Sequence, residues 1–106
     1  MMREKHRYIL VEASSQLDAD EKRFATSLQR ELLRCVGELS YHTINPKFVK
    51  FEEGQRFVLK SSLEGAEKLV LALAMVKRID STEMGLYTLR SSGTIRALEA
   101  WLEGVK

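Results

Sequence analysis

The segment Leu63 to Ile79, with the sequence Leu-Glu-Gly-Ala-Glu-Lys-Leu-Val-Leu-Ala-Leu-Ala-Met-Val-Lys-Arg-Ile, decides the fold. It is the one helical segment that is apolar around nearly its whole circumference. From Leu69 to Val76 eight consecutive residues lack a polar group, far fewer than the roughly 18 that a membrane span requires. Ser61 and Glu64 have the spacing of a capping box, which predicts a buried helix that begins just after Ser61 or Ser62.

Two faces of this helix are apolar. Steps of roughly 100° per residue place five apolar side chains on one face: Ala66, Leu69, Val70, Leu73 and Val76. Leu71 and Met75 lie well off that face. Because a surface helix needs only one apolar stripe, we expect the first five to seat the helix on a sheet. Leu71 and Met75 are then covered by the first helix or by a protein partner.

β-rich segments flank this helix on both sides, Arg56–Lys60 before it and Gly85–Ser91 after it. Glu53-Gly54 predicts a tight turn that joins Arg56–Lys60 to a preceding strand, Lys47–Glu52. Pro46 stands at the start of that preceding strand. Because proline donates no backbone hydrogen bond, it favours an edge position in the sheet.

Another strand and helix come first in the chain. Arg7–Ala13 is apolar at both alternating sets of positions, which is typical of a central strand covered on both faces. Asp18 is a good N-cap and predicts the start of a helix whose apolar stripe extends to Leu39, although Gly37 weakens its last turn. After the final strand, Ser92-Gly93-Thr94 turns the chain into a short terminal helix.

The order of elements is therefore β-α-β-β-α-β followed by a helix. With right-handed crossovers this order predicts an α+β, ferredoxin-like (RRM-like) fold, in which two helices pack on one face of a four-stranded antiparallel sheet. The first and third strands are central. At 106 residues, without an internal repeat or flexible linker, residues 1–106 are predicted to form one domain.

Composition bounds the class of protein. The formal net charge of +2 is too mild to indicate a dedicated polybasic protein. The one cysteine excludes an internal disulfide and a cysteine-based metal cluster. No apolar run precedes Tyr8–Val11, so we expect no signal peptide, no membrane association and a cytoplasmic location.

The sequence contains few side chains in arrangements that are typical of catalytic sites. His6 and His42 are isolated, without a carboxylate or cysteine at a recognisable spacing. Cys35 falls on the apolar face of its helix, where a small buried thiol is expected. No cluster of metal ligands stands out. The sequence therefore predicts no catalytic residue, no metal site and no bound cofactor.

Three segments of the chain are typical of one protein family. They are Lys5-His6-Arg7-Tyr8-Ile9-Leu10-Val11, the hairpin and helix from Asn45 to Ile79, and Leu89-Arg90-Ser91-Ser92-Gly93-Thr94-Ile95-Arg96-Ala97. In this order they resemble the archaeal and eukaryotic ribonuclease P protein component 2 family, in which a Ser-Gly-Thr-Ile segment is characteristic. The resemblance spans nearly the whole chain.

The resemblance implies a non-catalytic subunit of ribonuclease P, a ribonucleoprotein endonuclease that removes the 5′ leader of precursor tRNA and whose RNA is the catalyst. It implies ribonuclease P RNA, protein component 3 and the other protein components as partners, with precursor tRNA contacted only indirectly. A homodimer, or a heterotetramer with component 3, is a further expectation. The modest net charge, lower than in more basic relatives, disfavours a large independent RNA-binding role.

The outer face of the predicted sheet, opposite the two helices, is expected to be apolar at its centre and basic around it. Three interpretations stay open: the terminal helix covers this face, a protein partner covers it, or RNA bases stack on it. Gly54-Gln55-Arg56-Phe57-Val58 departs from the consensus of sheet-face RNA readers, which disfavours base-specific reading. The candidates for a partner surface are Leu10, Phe48, Val58, Leu71, Met75 and Leu86.

Basic residues in four places are candidates for RNA contacts. Arg23, Arg30 and Arg34 form a stripe on the first helix, where they either pair with phosphates or are merely solvated. Others lie in the N-terminal segment, around the sheet face, and beside the Ser-Gly-Thr turn, whose N–H groups either hold a phosphate or simply cap the last helix. These others are Arg3, Lys5, Arg7, Lys50, Arg56, Lys60, Arg90 and Arg96.

Two other classes of protein share this topology. An acylphosphatase-like enzyme requires an arginine-bearing, glycine-containing loop after the first strand, and Ala13-Ser14-Ser15-Gln16 has neither residue. An ACT-like regulatory domain, which binds an amino acid between subunits, is normally fused to an enzyme, whereas this chain is predicted to be one domain. Both classes remain alternatives at this point.

Overall fold

The computed structural model describes residues 5–17 and 20–104 and contains a four-stranded antiparallel sheet with helices on both faces. Its elements are β1 (His6–Ala13), α1 (Glu21–Val36), α2 (Glu38–Ile44), β2 (Lys47–Glu52), β3 (Arg56–Ser62), α3 (Ala66–Met75), β4 (Arg78–Ile79), β5 (Thr82–Glu83), β6 (Leu86–Ser92) and α4 (Ile95–Gly104). The strand order is β2-β3-β1-β6. This order confirms the predicted ferredoxin-like fold, with β1 and β3 central and β2 at an edge.

The inner face of the sheet packs against α1 and α3. Alternate side chains of β1 and β3 form this core together with one face of each helix. The five α3 residues predicted to face the sheet all belong to it: Ala66, Leu69, Val70, Leu73 and Val76. Four phenylalanine rings complete the core towards the β2 edge, with centroids 5.1–5.9 Å apart: Phe24, Phe48, Phe51 and Phe57.

The terminal helix α4 covers the outer face of the sheet. Its Leu98 and Leu102 pack on Leu10 and Val58 at the centre of that face. Leu10, Val58 and Leu98 are each at most 1% exposed. Of the three interpretations of this face, cover by the terminal helix is therefore confirmed. The prediction that Leu10 and Val58 belong to a partner surface is wrong, because α4 already buries them.

Phe48 lies on the inner face, so its predicted place on the outer face is wrong. Phe48 pairs with Leu59 and Lys50 with Val58, which leaves Val49 as an extra residue in β2. Such a bulge shifts the alternation of side chains by one residue. Lys50 keeps its predicted outward direction, while Phe48, two residues earlier, is reversed.

A second bulge, in β6, turns Leu86 to the inner face. The predicted place of Leu86 on the outer face is therefore also wrong. The pairing of β6 with β1 shifts between Leu10 and Val11, and Leu89 packs with the α4 cluster. Leu86 consequently belongs to the inner core, and its neighbour Tyr87 is exposed. In both edge strands a strict period of two fails at the bulge.

Helix α3 is shorter than predicted at both ends. Ser61 and Ser62 still belong to β3, and Ser62 rather than Ser61 supports the turn, since its Oγ accepts a hydrogen bond from Gly65 N–H at 2.9 Å. The helix ends at Met75. Arg78–Ile79, which the sequence predicts as the end of the helix, instead pairs with Thr82–Glu83 as a two-stranded ribbon, β4–β5.

Helix α1 ends at Val36 because Gly37 adopts a left-handed φ of +82°. The short helix α2 follows, and Leu39, predicted to continue the apolar stripe of α1, is 87% exposed there. The N-cap of α1 is Asp20, whose carboxylate accepts a hydrogen bond from Arg23 N–H at 3.2 Å. The predicted N-cap, Asp18, lies outside the described residues.

We expect Gly65→Ala to lower the free energy of unfolding by about 1–3 kcal/mol. A Cβ atom at this position would lie 2.5 Å from Ile44 Cα and 2.9 Å from Ser62 Oγ, so backbone would have to move. Urea denaturation measures the loss. Gly104→Ala is the matched control, because nothing lies within 4 Å of a Cβ atom there. Equal losses in the two variants would contradict the close approach of α2 to this turn.

Candidate nucleic-acid interface

Basic side chains converge at one end of the sheet, where β1 and β2 begin and β3 and β6 end. Tyr8 pairs with Lys60 on one side and with Ser92 on the other, and Lys60 pairs with Lys47. These four residues form a row across the outer face of all four strands. Helix α4 starts just beyond this row. We call the following residues the basic end: Lys5, Arg7, Lys47, Lys60 and Arg96.

Two lysines of the basic end face each other across neighbouring strands. Lys47 and Lys60 are direct cross-strand partners, and like charges in this position destabilise a sheet. Within residues 5–17 and 20–104, neither ammonium forms an ion pair with a carboxylate. An anion bound between the two lysines would relieve their repulsion. The sequence did not single out Lys47.

Lys60 and Arg90 are positioned by aromatic rings. Lys60 Nζ lies 6.0 Å from the centroid of the Tyr8 ring, and Arg90 Cζ lies 5.6 Å from that of Trp101. A cation–π contact at an exposed site is worth about 0.5–1 kcal/mol. It holds the cation in place without neutralising its charge, so both side chains can still pair with a phosphate.

The Ser-Gly-Thr turn acts as a helix cap. Thr94 Oγ1 accepts a hydrogen bond from Ala97 N–H at 3.2 Å, and Ser92 Oγ accepts one from Thr94 N–H at 3.3 Å. The simpler interpretation of this turn is thereby confirmed. Arg7 lies beside the turn, where its Nη2 donates a weak hydrogen bond to Ser91 Oγ at 3.4 Å.

Two predicted RNA contacts lie near the β2–β3 turn, where carboxylates pair with them. Arg56 Nε lies 3.4 Å from Glu12 Oε1. Lys50 Nζ lies 2.7 Å from Glu99 Oε1 and 3.1 Å from Glu52 Oε1. Hydrogen bonds to Glu99 and Glu52 raise the pKa of Lys50. These two cations are already neutralised by the chain itself.

On α1 the three predicted arginines divide into two environments. Arg34 Nη2 lies 2.9 Å from Glu31 Oε2, and this hydrogen bond, with the charge of Glu31, raises the pKa of Arg34. Arg23 and Arg30 line a cleft between α1 and the β4–β5 ribbon. Arg3, the remaining candidate, lies outside the described residues.

Charge is therefore polarised along the strands. At the β2–β3 turn, a depression of about 240 Å³ is lined by four carboxylates and two cations: Glu52, Glu53, Glu99, Glu103, Lys50 and Arg56. From Tyr8 to Glu12 along β1 the distance between the two regions is about 13 Å. The formal net charge of +2 sums over both regions and conceals the basic end.

Leu71 and Met75 are the predicted partner-surface residues that are exposed. They lie one turn apart on the outer side of α3 and are 65% and 59% exposed. Cover by the first helix, one of the two expectations for them, is therefore wrong. A protein partner remains the other expectation.

The loop after β1 serves to connect elements. Ser14 Oγ accepts a hydrogen bond from Gly85 N–H at 2.7 Å, and Ser15 Oγ donates one to Glu83 O at 2.8 Å. Both hydroxyls are thus used to tie β1 to the segment before β6. This arrangement disfavours the acylphosphatase-like alternative, in which this loop would hold a phosphate.

The described part of the chain contains no group of three or more His, Cys, Asp or Glu side chains that could hold a metal ion. In the same residues, no helix has the length and apolar character needed to cross a membrane. Cys35, half-buried, packs against the inner core, as its place on the apolar stripe predicts.

The fold and the position of its cations define a small ferredoxin-like α+β domain with a basic end. The chain belongs to the Rpp14/Pop5 family, whose sequence profile matches residues 7–103. Two archaeal relatives, from Thermococcus gammatolerans and Pyrococcus horikoshii, are both called Ribonuclease P protein component 2. They are 28% and 27% identical to this chain over 99 residues, which is 92% of this chain and 82% of each relative.

A solved structure shares the fold. One chain in a cryo-EM structure of yeast ribonuclease MRP superposes with a TM-score of 0.65 at 12% sequence identity. The match covers 99% of this chain and 91% of the yeast chain. The similarity extends over the whole domain, including the region of α4.

Proposed function

We propose that this chain is a protein subunit of ribonuclease P, which removes the 5′ leader of precursor tRNA, and that its basic end contacts the RNA of that complex. The observation that carries the RNA contact is the cross-strand pair of Lys47 and Lys60 beside Tyr8. Membership of the Rpp14/Pop5 family supports the assignment to the complex. In this proposal the chain supports a catalytic RNA and performs no chemistry itself.

The contact is to the RNA backbone and not to bases. The row across the basic end has one aromatic ring, Tyr8, which is half-buried and has Lys60 above it. A ring in that position offers little surface for stacking, whereas ammonium and guanidinium groups bind phosphate oxygens well. Lys47 and Lys60 share one phosphate on the outer face, whereas Arg7, whose cross-strand partner is Ser61, meets the backbone from the inner face at the same end of the sheet.

We propose that the outer side of α3 binds another protein component of the complex, with component 3 as the first candidate. Leu71 and Met75 are four positions apart on the helix and therefore form one continuous apolar surface. Contiguous apolar patches mark protein interfaces, and Leu71 and Met75 supply the two large exposed apolar side chains of such a patch on α3. This surface and the Lys47–Lys60 pair lie on different sides of the sheet, so RNA and protein can bind together.

Met75→Glu is expected to weaken binding to component 3 by at least about ten-fold, because it places a charge in an apolar contact. Isothermal titration calorimetry with purified component 3 measures this loss. The thermal midpoint of the isolated chain should stay unchanged, since Met75 is exposed. Leu39→Glu, at an exposed leucine on α2, is the matched control and should bind normally. Unfolding of the Met75→Glu variant would show that Met75 belongs to the core.

Reconstitution tests the proposed function. Ribonuclease P RNA and the other protein components are assembled with and without this chain, and the rate of precursor tRNA cleavage is measured. We expect faster cleavage, or cleavage at lower magnesium concentration, when the chain is present. Identical rates with and without it would contradict the assignment.

A further inference from the structure

A cleft on the helical side of the molecule lies outside the interface described above. It opens between α1 and the β4–β5 ribbon and has a volume of about 770 Å³. Arg23 and Arg30 stand along its α1 side. Its other polar lining is formed mainly by side chains that donate hydrogen bonds: Gln16, Ser81 and Thr82.

A partly buried hydrogen bond fixes the ribbon against α1. Ser27, which is 5% exposed, donates its hydroxyl to Asp80 Oδ2 at 2.7 Å across 53 residues of sequence. Asp80 has a left-handed φ of +55° in the two-residue turn between β4 and β5, a position where glycine is usual. The hydrogen bond from Ser27 to the Asp80 carboxylate holds both this turn conformation and the ribbon against α1. The wall of the cleft is therefore set before any ligand arrives.

The arrangement of donors selects an anion. Arg23 and Arg30 lie on the same face of α1, two helical turns or about 10.5 Å apart, with Ser27, whose hydroxyl donates its hydrogen bond to Asp80, between them. Arginine N–H groups, hydroxyls and an amide all donate to acceptor oxygens, and a guanidinium pairs with a phosphate through two parallel hydrogen bonds. Among the described residues that line the cleft, Asp80 is the one carboxylate, and Ser27 already occupies one of its oxygens.

We propose that this cleft binds a phosphate group of the RNA backbone, with Arg30 as the principal ligand and the hydroxyls of Ser81 and Thr82 as further donors. It is a second RNA contact, on the opposite side of the sheet from the face that α4 covers. The identity of the anion as RNA rests on the proposed function, whereas the binding of phosphate does not.

Titration of inorganic phosphate into the full chain, followed by ¹H–¹⁵N NMR, tests the site. We expect the amides of Ser81 and Thr82 and the Arg30 Nε–H to shift together. Arg30→Gln should weaken phosphate binding about ten-fold. Arg34→Gln, one turn further along α1 and paired with Glu31, is the control and should change nothing. Asp80→Asn should tighten binding, because it removes the negative charge and keeps an acceptor for Ser27.

Shifts that are insensitive to Arg30→Gln, or weaker binding in Asp80→Asn, would overturn the site. A second arm uses ribonuclease P RNA, for which Arg30→Gln should reduce the slope of log K against log salt by about one. An unchanged slope would overturn the RNA contact in the cleft. Phosphate binding in a chain that does not bind this RNA would keep the site and contradict the proposed function.

Discussion

The triple variant Lys47→Gln, Lys60→Gln, Arg96→Gln is expected to bind ribonuclease P RNA roughly 100-fold more weakly at 0.1 M salt, with the slope of log K against log salt reduced by about two to three. Each cation of the basic end that pairs with a phosphate releases a counterion from the RNA. Each substitution therefore removes the contribution of one counterion to the affinity and to its salt dependence. Filter binding or fluorescence anisotropy between 0.05 and about 0.4 M salt measures the slope.

Stability should change little while affinity falls. Removing the like-charge pair of Lys47 and Lys60 relieves their repulsion but also removes the Lys60–Tyr8 cation–π contact, so we expect the free energy of unfolding to stay within about 1 kcal/mol of the parent value. Loss of RNA binding therefore cannot be attributed to unfolding. Thermal denaturation of the same preparation provides this comparison.

The matched control changes the same number of charges among the neutralised cations. Lys50→Gln, Arg56→Gln and Arg34→Gln together lower the net charge equally, but each of these side chains is already paired with a glutamate. We expect the slope to change by less than about one in this variant. Equal losses in the two triple variants would mean that RNA senses only the overall charge of the chain.

Leu98→Ala is expected to lower the free energy of unfolding by about 2–5 kcal/mol. Leu98 is 1% exposed and lies on Leu10 and Val58, so its truncation leaves a cavity between α4 and the sheet. Urea denaturation measures the loss. Trp101, the one tryptophan of the chain, lies on the same helix and makes fluorescence a direct reporter of α4.

Ala97→Ser is the control for this helix, because Ala97 is exposed one residue earlier. Its free energy of unfolding should stay within about 0.5 kcal/mol of the parent value. If Leu98→Ala is equally mild, and the Trp101 emission already reports a solvated ring in the unmodified chain, then α4 does not cover the sheet in solution.

The topology could be predicted because hydrophobic periodicity is local. The apolar stripe of α3 and the two-sided apolar strand β1 each needed only their own residues to be recognised. The ends of helices and strands could be predicted less well. Gly37 ends α1 through a left-handed φ, and the short β4–β5 ribbon forms only through pairing of its two strands. Both depend on conformations that a pattern of apolar residues does not encode.

The two bulges explain the largest errors on the sheet. Counting back from Lys50 and Arg90 in steps of two places Phe48 and Leu86 on the outer face. One extra residue in each edge strand turns both side chains into the core. No residue type in β2 or β6 marks the bulge, because neither strand contains a glycine or a proline.

The types of residue in the candidate site could be predicted from the sequence, but the partners of each cation could not. The sequence supplied Lys60, Arg7 and Arg96 as candidates, together with Lys50 and Arg56. It could not distinguish cations held by aromatic rings from cations neutralised by distant glutamates, since those partners lie up to 49 residues away. The register that brings Lys47 opposite Lys60 depends on the bulge in β2.

Tethered hydroxyl-radical probing tests the central claim, that ribonuclease P RNA lies against the basic end, most directly. In a Cys35→Ala background, an iron chelate is attached to Ala97→Cys beside the basic end or to Gln55→Cys in the β2–β3 turn. Both positions are exposed. In the reconstituted complex we expect strong, localised cleavage of the RNA from position 97 and little from position 55. Cleavage from position 55 alone, or equally from both, would contradict the account.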